Sequence, residues 1–307
     1  MSNPSEAPIN ACTRYGALFG HPVKHSASPT MQNAGMAALG LNWRYLAFAV
    51  PPDQLRDAIA GAKAMRFIGL NLTIPHKLPA LPMMDALDDS AKTWGAVNTV
   101  RFEAQDPAGN WRPLGYFAET APEPIRSHGF NTDAEAIARA LREDLGQELA
   151  GAKVLLLGAG GAGRVAALKL AAENASELFL VNRTAGKAEA LAAEVAARFP
   201  GVKARAGYPK GSVDLLINAS SLGLQAGDGL PFDPADFRLD RTRAVYDMIY
   251  RPAQTPLLAA AKAAGCATAN GLGMLLRQGA ASLELWSGQA APIKEMRAAL
   301  EANVYGH

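Results

Sequence analysis

From Tyr15 onward, short apolar runs alternate with stretches whose apolar residues recur at helical spacing. YGALFG (15–20), WRYLAFAV (43–50) and FIGLNLTI (67–74) read as strands, with helices in PTMQNAGMAALG (29–40) and PDQLRDAIAGAKAM (52–65) between them. Such alternation predicts βαβ units and a largely parallel sheet. Residues 104–128 lose the rhythm and carry Pro, Gly and mixed polar residues, which predicts a long loop or hairpin insertion rather than a core element. The rhythm resumes in AEAIARALREDL (134–145), where Ile137, Leu141 and Leu145 fall on one helix face. KVLLLGAGGAGRVAALKLAAENA (153–175) then reads as strand, glycine turn and helix, ELFLVNRT (177–184) as a strand and AGKAEALAAEVAARF (185–199) as a helix. VDLLINAS (213–220) and AVYDMIY (244–250) are further strands, and a last helical stretch from Met274 bears Leu275, Leu276, Leu283 and Trp286.

This pattern predicts an α/β protein of two domains. A mobile tail (1–13) precedes a first α/β domain (14–133), a Rossmann-type dinucleotide-binding domain (134–270) follows with a cleft between the two, and the closing helices (271–307) return to the first domain. Composition narrows the function. The 307 residues are 49% hydrophobic with a formal net charge of +2, and the basic residues are scattered, so nucleic acid and anionic membrane are not expected partners. Cys12 and Cys266 are the only cysteines, which argues against a disulfide framework or a structural zinc. With a polar, proline-bearing N-terminus and no apolar run long enough to span a bilayer, the sequence reads as a soluble cytoplasmic protein whose partner is a small molecule, acting as a monomer or homodimer.

GAGGAG, Gly158 to Gly163, lies between the apolar run Val154–Leu157 and a helix-forming segment. In that context Gly158, Gly160, Gly161, Ala162 and Gly163 give a tight turn, a close approach of backbone to a pyrophosphate at a helix N-terminus, and close packing of helix on strand. An ordinary glycine-rich βα turn is the plainer alternative. The next strand ends in Asn182, Arg183 and Thr184, with no acid to hold the ribose hydroxyls of NAD. Arg183, with Thr184 and Lys187, suits a 2′-phosphate instead and points to NADP, against the plainer reading of a solvated strand-end charge.

GLNLTIPHK (69–77) ends a core strand by delivering an ammonium group. Hydride transfer to a carbonyl leaves negative charge on oxygen, so a proton donor is needed there, and Lys77 is placed to supply it. A solvated lysine after a strand is the commoner case. Asp133, in GFNTD at the junction of the predicted domains, would orient that amine and complete a proton-transfer pair, and is equally well read as a helix N-cap. His25 and His76 lack the spacing of a metal-binding helix and read as local hydrogen-bonding groups, so no metal is expected.

At these residues the sequence resembles the shikimate dehydrogenase family over nearly its whole length. The resemblance rests on GHPVKHSASPTMQNA (20–34), GLNLTIPHK (69–77), GAVNT (95–99), NTD (131–133), GAGGAG, NRT, INASSLG (217–223), YDMIYRPAQTPLL (246–258) and GLGMLLRQ (271–278), in family order. It implies a substrate-binding first domain and reversible, NADPH-dependent reduction of 3-dehydroshikimate to shikimate in aromatic amino-acid biosynthesis, with Lys77 and Asp133 as the catalytic pair. By the same resemblance Ser26 and Ser28 receive the substrate carboxylate, aided by Tyr250. Asn71, Thr73, Asn98 and Gln278 bind or arrange groups around the ring hydroxyls, and Met248, Gly271 and Met274 lie near the nicotinamide. From the residues alone Ser26 and Ser28 are equally turn or cap residues before Pro29.

Ala134 replaces a glycine usual after NTD, Gly279 replaces an alanine common after Gln278, and the stretch from Phe102 to Gly129 is longer than a simple hairpin. A glycine in a helix is expected to loosen the turn that bears Gln278. Quinate or an amino analogue of shikimate remain alternative substrates, and a non-catalytic NADP- or ligand-binding regulatory protein is an alternative of a different class.

Overall fold

A computed structural model describes residues 9–118, 121–225 and 227–306 and divides the chain into two compact units, Met1–Thr132 with Leu276–His307, and Asp133–Leu275. Of the tail expected to be mobile, residues 1–8 lie outside the described ones. In the remainder, Thr13 Oγ1 accepts from the Asn10 amide at 2.9 Å and donates to Asn42 at 3.0 Å.

In the first unit, β1 (Arg14–Gly20), β2 (Trp43–Ala49) and β3 (Gly69–Leu72) are parallel, joined through α1 (Ser28–Ala38) and α2 (Leu55–Ala64), as the alternating pattern predicts. Beyond them the sheet departs from the expectation of a largely parallel array. After β4 (Ala86–Leu87) and α3 (Asp89–Trp94), β5 (Thr99–Gln105) runs antiparallel to β3, to β6 (Trp111–Pro113) and to β7 (Arg126–Phe130), giving the order β2-β1-β3-β5-β7-β4 with β6 alongside β5.

The expectation that 104–128 is not a core element is also corrected. Gln105 and Trp111 pair in a β5–β6 hairpin, Leu114 is fully buried, and Ala121 is 5% exposed in the same apolar cluster as Val100 and Phe102. The opposite face of this strand pair holds Glu103, fully buried, which accepts from Arg126 Nε at 2.7 Å, from His128 Nδ1 at 3.1 Å and from Arg101. Burial opposes its ionisation, but the His128 bond and the two guanidinium groups override it and hold the carboxyl at about 2. The Arg126 guanidinium also covers the Trp111 ring at 4.1 Å. Apolar burial of Leu114 and Ala121 on one face and polar satisfaction of Glu103 on the other together fasten the insertion to the sheet.

Most of α8 (Leu272–Ser287) and all of α9 (Ile293–Tyr305) belong to this unit. Trp286 is fully buried, and its indole N–H donates to the Val100 carbonyl at 3.0 Å. At Gly279 this helix packs against α1. A Cβ there would stand 2.2 Å from Met31 Cε, and its carbonyl accepts from Gln32 Nε2 at 2.9 Å, so the missing side chain is what lets α1 lie close against the Gln278 turn.

In the second unit α4 (Asp133–Leu145) precedes a wholly parallel sheet of β8 (Lys153–Leu157), β9 (Glu177–Val181), β10 (Lys203–Ala206), β11 (Val213–Asn218), β12 (Thr242–Asp247) and β13 (Ala267–Asn270), ordered β10-β9-β8-β11-β12-β13. Its crossover helices include α5 (Gly161–Ala172), α6 (Ala185–Arg198) and α7 (Pro256–Ala263). That strand order, reversing direction beside β8, is the doubly wound arrangement whose switch point lies at the end of the first strand. Among the described residues no helix is long and apolar enough to cross a membrane.

One substitution tests the packing. Gly69→Ala would place a Cβ 2.1 Å from Trp286 Nε1 and 2.5 Å from the Val100 carbonyl. It is expected to lower the unfolding free energy by about 3 kcal/mol, as overpacking of a rigid core does. An unchanged urea midpoint would show that α8 is not held through this gap.

Candidate functional site

In the second unit, β8 delivers the chain into a turn that only glycine fits at two places. Gly158 has φ +106°, and a Cβ on Gly163 would stand 2.0 Å from the Gly158 carbonyl. Gly160 caps α5 in extended conformation, while Cβ atoms at Gly160 or Gly161 would meet nothing within 4 Å. The first-turn N–H groups of Gly161, Ala162 and Gly163 thus form a positive helix end with open space in front and no acidic residue in the first turn. Asn182 ties the turn to β9, its Oδ1 accepting from the Ala159 amide at 3.0 Å and its Nδ2 donating to the Thr184 carbonyl at 3.0 Å. Arg183, Thr184 and Lys187 are exposed at the start of α6. Donors at the helix end and cations beyond β9 fit a dinucleotide that carries an additional phosphate.

Met248, half-buried, follows β12, and a Cβ on Gly271 would meet the Met248 carbonyl at 2.0 Å. Met274 lies in the first turns of α8, and Tyr250, half-buried, follows two residues after Met248. This segment hangs on Asp247, a fully buried residue to which the sequence reading gave no role. Its carboxyl accepts from Asn218 Nδ2 at 3.0 Å, the Ile249 amide at 3.1 Å and Thr255 Oγ1 at 2.6 Å. Burial raises its pKa against those bonds. Thr255 in turn caps α7 by accepting from the Leu258 amide at 3.2 Å. The signal available in the sequence was polar residues ending two core strands, Asn218 and Asp247.

Asp133 is the first residue of α4 and 4% exposed, so its carboxylate sits at the positive end of that helix. Ala134 behind it is 1% exposed. Lys77 belongs to the first unit, half-buried in the turn after β3, where its carbonyl accepts from the Val97 amide at 2.9 Å. Thr73 starts this turn, its amide donating to the Phe19 carbonyl and its carbonyl accepting from the His76 amide. Ser26 is half-buried and its Oγ accepts from the Ser28 amide at 3.2 Å; Ser28 opens α1 and is 5% exposed. The helix cap itself falls on Ala27, with no side-chain bond.

Asn98 and Gln278 are brought together. Asn98 Nδ2 donates to Thr132 Oγ1 at 2.9 Å and lies 3.5 Å from Gln278 Oε1, while its Oδ1 accepts from the Thr132 amide at 2.8 Å. Asn71 is 5% exposed, and its amide is engaged within the protein. Its Oδ1 accepts from Tyr45 Oη at 2.8 Å, and its Nδ2 donates to Ser282 Oγ at 2.9 Å and Thr99 Oγ1 at 3.1 Å. Tyr45, Thr99, Thr132 and Ser282 were not singled out from sequence. Ser282, a hydroxyl on the apolar face of the Trp286 helix, was the visible clue.

His76 is fully buried, with Nε2 2.9 Å from the Val50 carbonyl. That partner has no proton, so Nε2 carries one. Burial lowers the His76 pKa, aided by the nearby His21 and opposed by the Val50 bond. Its folded pKa therefore lies below the ordinary 6.5, and the stability it contributes is full above that value and lost as pH falls through it. Urea midpoints should accordingly fall less between pH 7 and pH 5 in His76→Phe than in the unaltered protein, and parallel slopes would show that His76 does not couple folding to pH.

Comparison with known proteins completes the picture. Residues 18–100 match the shikimate dehydrogenase substrate binding domain, 140–204 the shikimate / quinate 5-dehydrogenase model, and 271–301 the shikimate 5′-dehydrogenase C-terminal domain. The shikimate dehydrogenase (NADP(+)) of Methanopyrus kandleri is 42% identical over 301 residues, 95% of this chain and 96% of that one. A crystal structure of shikimate dehydrogenase in complex with NADP+ superposes with a TM-score of 0.82 at 36% identity, covering 97% of this chain and 98% of that one. The ligand-free 5-ketofructose reductase of Gluconobacter sp. strain CHM43 superposes with a TM-score of 0.76 at 33% identity, covering 95% and 99%.

Proposed function

Since the chain belongs to the shikimate dehydrogenase family, we propose that it interconverts 3-dehydroshikimate and shikimate with NADP(H). The observation that carries this reading is the 42% identity along 95% of the chain to an NADP(+)-dependent shikimate dehydrogenase. The acid-free end of β9 beside the glycine turn agrees with the cofactor.

NADPH, when bound, supplies a hydride to the carbonyl carbon. The protein's part is to hold the ring and manage one proton. Residues 134–270 bind the cofactor, through the α5 N-terminus and Asn182 for the pyrophosphate side and through Arg183, Thr184 and Lys187 for the 2′-phosphate. Met248, Gly271 and Met274 shape the nicotinamide site. Residues 14–133, joined by the closing helices of 271–307, hold the substrate. Ser26 and Ser28 donate hydroxyl protons to its carboxylate, with Tyr250 assisting, and Thr73, Asn98 and Gln278 donate to and accept from its ring hydroxyls, with Asn71 arranging them. Lys77 hands a proton to the oxygen as the carbonyl is reduced and takes one from the hydroxyl in reverse, while the Asp133 carboxylate favours the charged amine and orients it.

Nicotinamide absorbance, followed with shikimate and quinate against NADP and NAD, tests the reading. Turnover chiefly with shikimate and NADP is expected. Preference for quinate would change the substrate, and ligand-induced protection without turnover would make the chain a binding protein.

Lys77→Ala is expected to lower kcat by about 10²- to 10⁴-fold while NADP binding stays intact, as loss of a general acid does. Near-normal turnover would remove Lys77 from the reaction. For Arg183→Ala the expectation is that KM for NADP rises about 10- to 100-fold while KM for NAD hardly moves, since a charged hydrogen bond to phosphate is lost. Equal losses for the two cofactors would detach Arg183 from the 2′-phosphate.

A further inference from the structure

Two buried hydroxyls, those of Tyr45 and Ser282, have no part in the function just proposed, yet they end a chain of hydrogen bonds that reaches it. Tyr45 is fully buried and its hydroxyl donates to Asn71 Oδ1 at 2.8 Å. Asn71 Nδ2 donates to Ser282 Oγ at 2.9 Å and to Thr99 Oγ1 at 3.1 Å. Ser282, also fully buried, stands one helical turn after Gln278 and donates to the Gln278 carbonyl at 2.9 Å. A serine has a single hydroxyl proton, so the 2.8 Å contact between Ser282 and Thr99 is donated by Thr99. The Gln278 carbonyl also receives Thr132 Oγ1 at 3.1 Å, and Thr132 is the residue whose amide and hydroxyl fix both ends of the Asn98 side chain.

Thr99 also stands 3.3 Å from Asn98 Oδ1 and from Thr132 Oγ1, so its single proton has competing acceptors, whereas the Ser282 and Thr132 hydroxyls both donate to the Gln278 carbonyl. An α-helical carbonyl ordinarily accepts only the amide four residues on. Here two side-chain hydroxyls pull on the same carbonyl, which sets the height and tilt of the turn from which the Gln278 side chain meets Asn98 at 3.5 Å.

The geometry points to Tyr45 and Ser282 as positioning residues that, through Asn71, Thr99 and Thr132, fix Gln278 and Asn98 for recognition of a polyhydroxylated substrate. This rests on the function proposed above. Neither residue touches the reacting atoms. In a water-poor interior the bonds of such a network reinforce one another, and losing one member leaves a buried partner unsatisfied.

Tyr45→Phe keeps the ring and removes only the terminal hydroxyl. Ser282→Ala removes the last donor, and Ser282→Thr restores it. The readouts on the full chain are kcat and KM for shikimate and NADP well below the melting temperature, and amide hydrogen exchange over residues 276–283 without ligand. Tyr45→Phe and Ser282→Ala should raise KM for shikimate about 5- to 30-fold, the effect of one or two weakened hydrogen bonds, leave KM for NADP within about twofold, and accelerate exchange in that segment. Ser282→Thr should recover KM and exchange together. A lower Tm with KM for shikimate unchanged would reduce the network to a packing element and overturn the proposal. Should the unaltered protein fail to oxidise shikimate, the functional reading falls separately. Exchange then decides alone, since acceleration confined to 276–283 and reversed by threonine supports positioning, and unchanged exchange overturns it.

Discussion

The empty space above Gly69 is the constraint on which the first unit depends. Because no side chain stands there, the Trp286 indole reaches over β3 and donates to the Val100 carbonyl on β5. That single bond satisfies the polar edge of a large buried side chain and fixes where α8 crosses the sheet. Gln278 lies eight residues earlier on the same helix, about 12 Å along its axis. Its position is thus inherited from Trp286, refined by Ser282, and held sideways by the close approach of Met31 and Gln32 at Gly279.

The second unit uses missing side chains for a different end. Gly163 leaves room for the Gly158 carbonyl, so that α5 starts hard against β8 with its first amides facing outward. On the other side of the switch point, Asp247 gathers Asn218, Ile249 and Thr255 around one buried carboxyl. The loop after β12 is held by backbone and side chain together: the Met248 amide donates to the Asn218 carbonyl at 2.9 Å and the Gly271 amide to the Ile249 carbonyl at 3.2 Å, while the Asp247 carboxyl accepts from the Ile249 amide.

Legibility followed physical cause. The glycine turn, its strand and its helix were readable because their spacing is a local requirement of βα geometry. The three parallel strands of the first unit were readable from apolar alternation. The mixed part of that sheet was hidden, since β5 alternates Val100, Phe102 and Ala104 with Arg101 and Glu103, and two of the three partners that permit Glu103 to be buried, Arg126 and His128, lie on β7. Leu114 and Ala121 looked like insertion residues because nothing in their neighbourhood has a period. What Gly279 packs against was hidden for the same reason, since Met31 and Gln32 lie far away in the chain.

By itself the sequence determined the types of element, the nucleotide turn with its cationic strand end, and the residue kinds available for proton transfer and hydroxyl recognition. These depend on neighbours a few residues apart. Only the tertiary structure decided that Asn71 faces inward to Tyr45 and Ser282, that Asn98 and Gln278 meet, and that Asp247 anchors the Met248 loop. A buried polar atom must find its partner wherever the fold brings one, and that partner carries no mark in the local sequence.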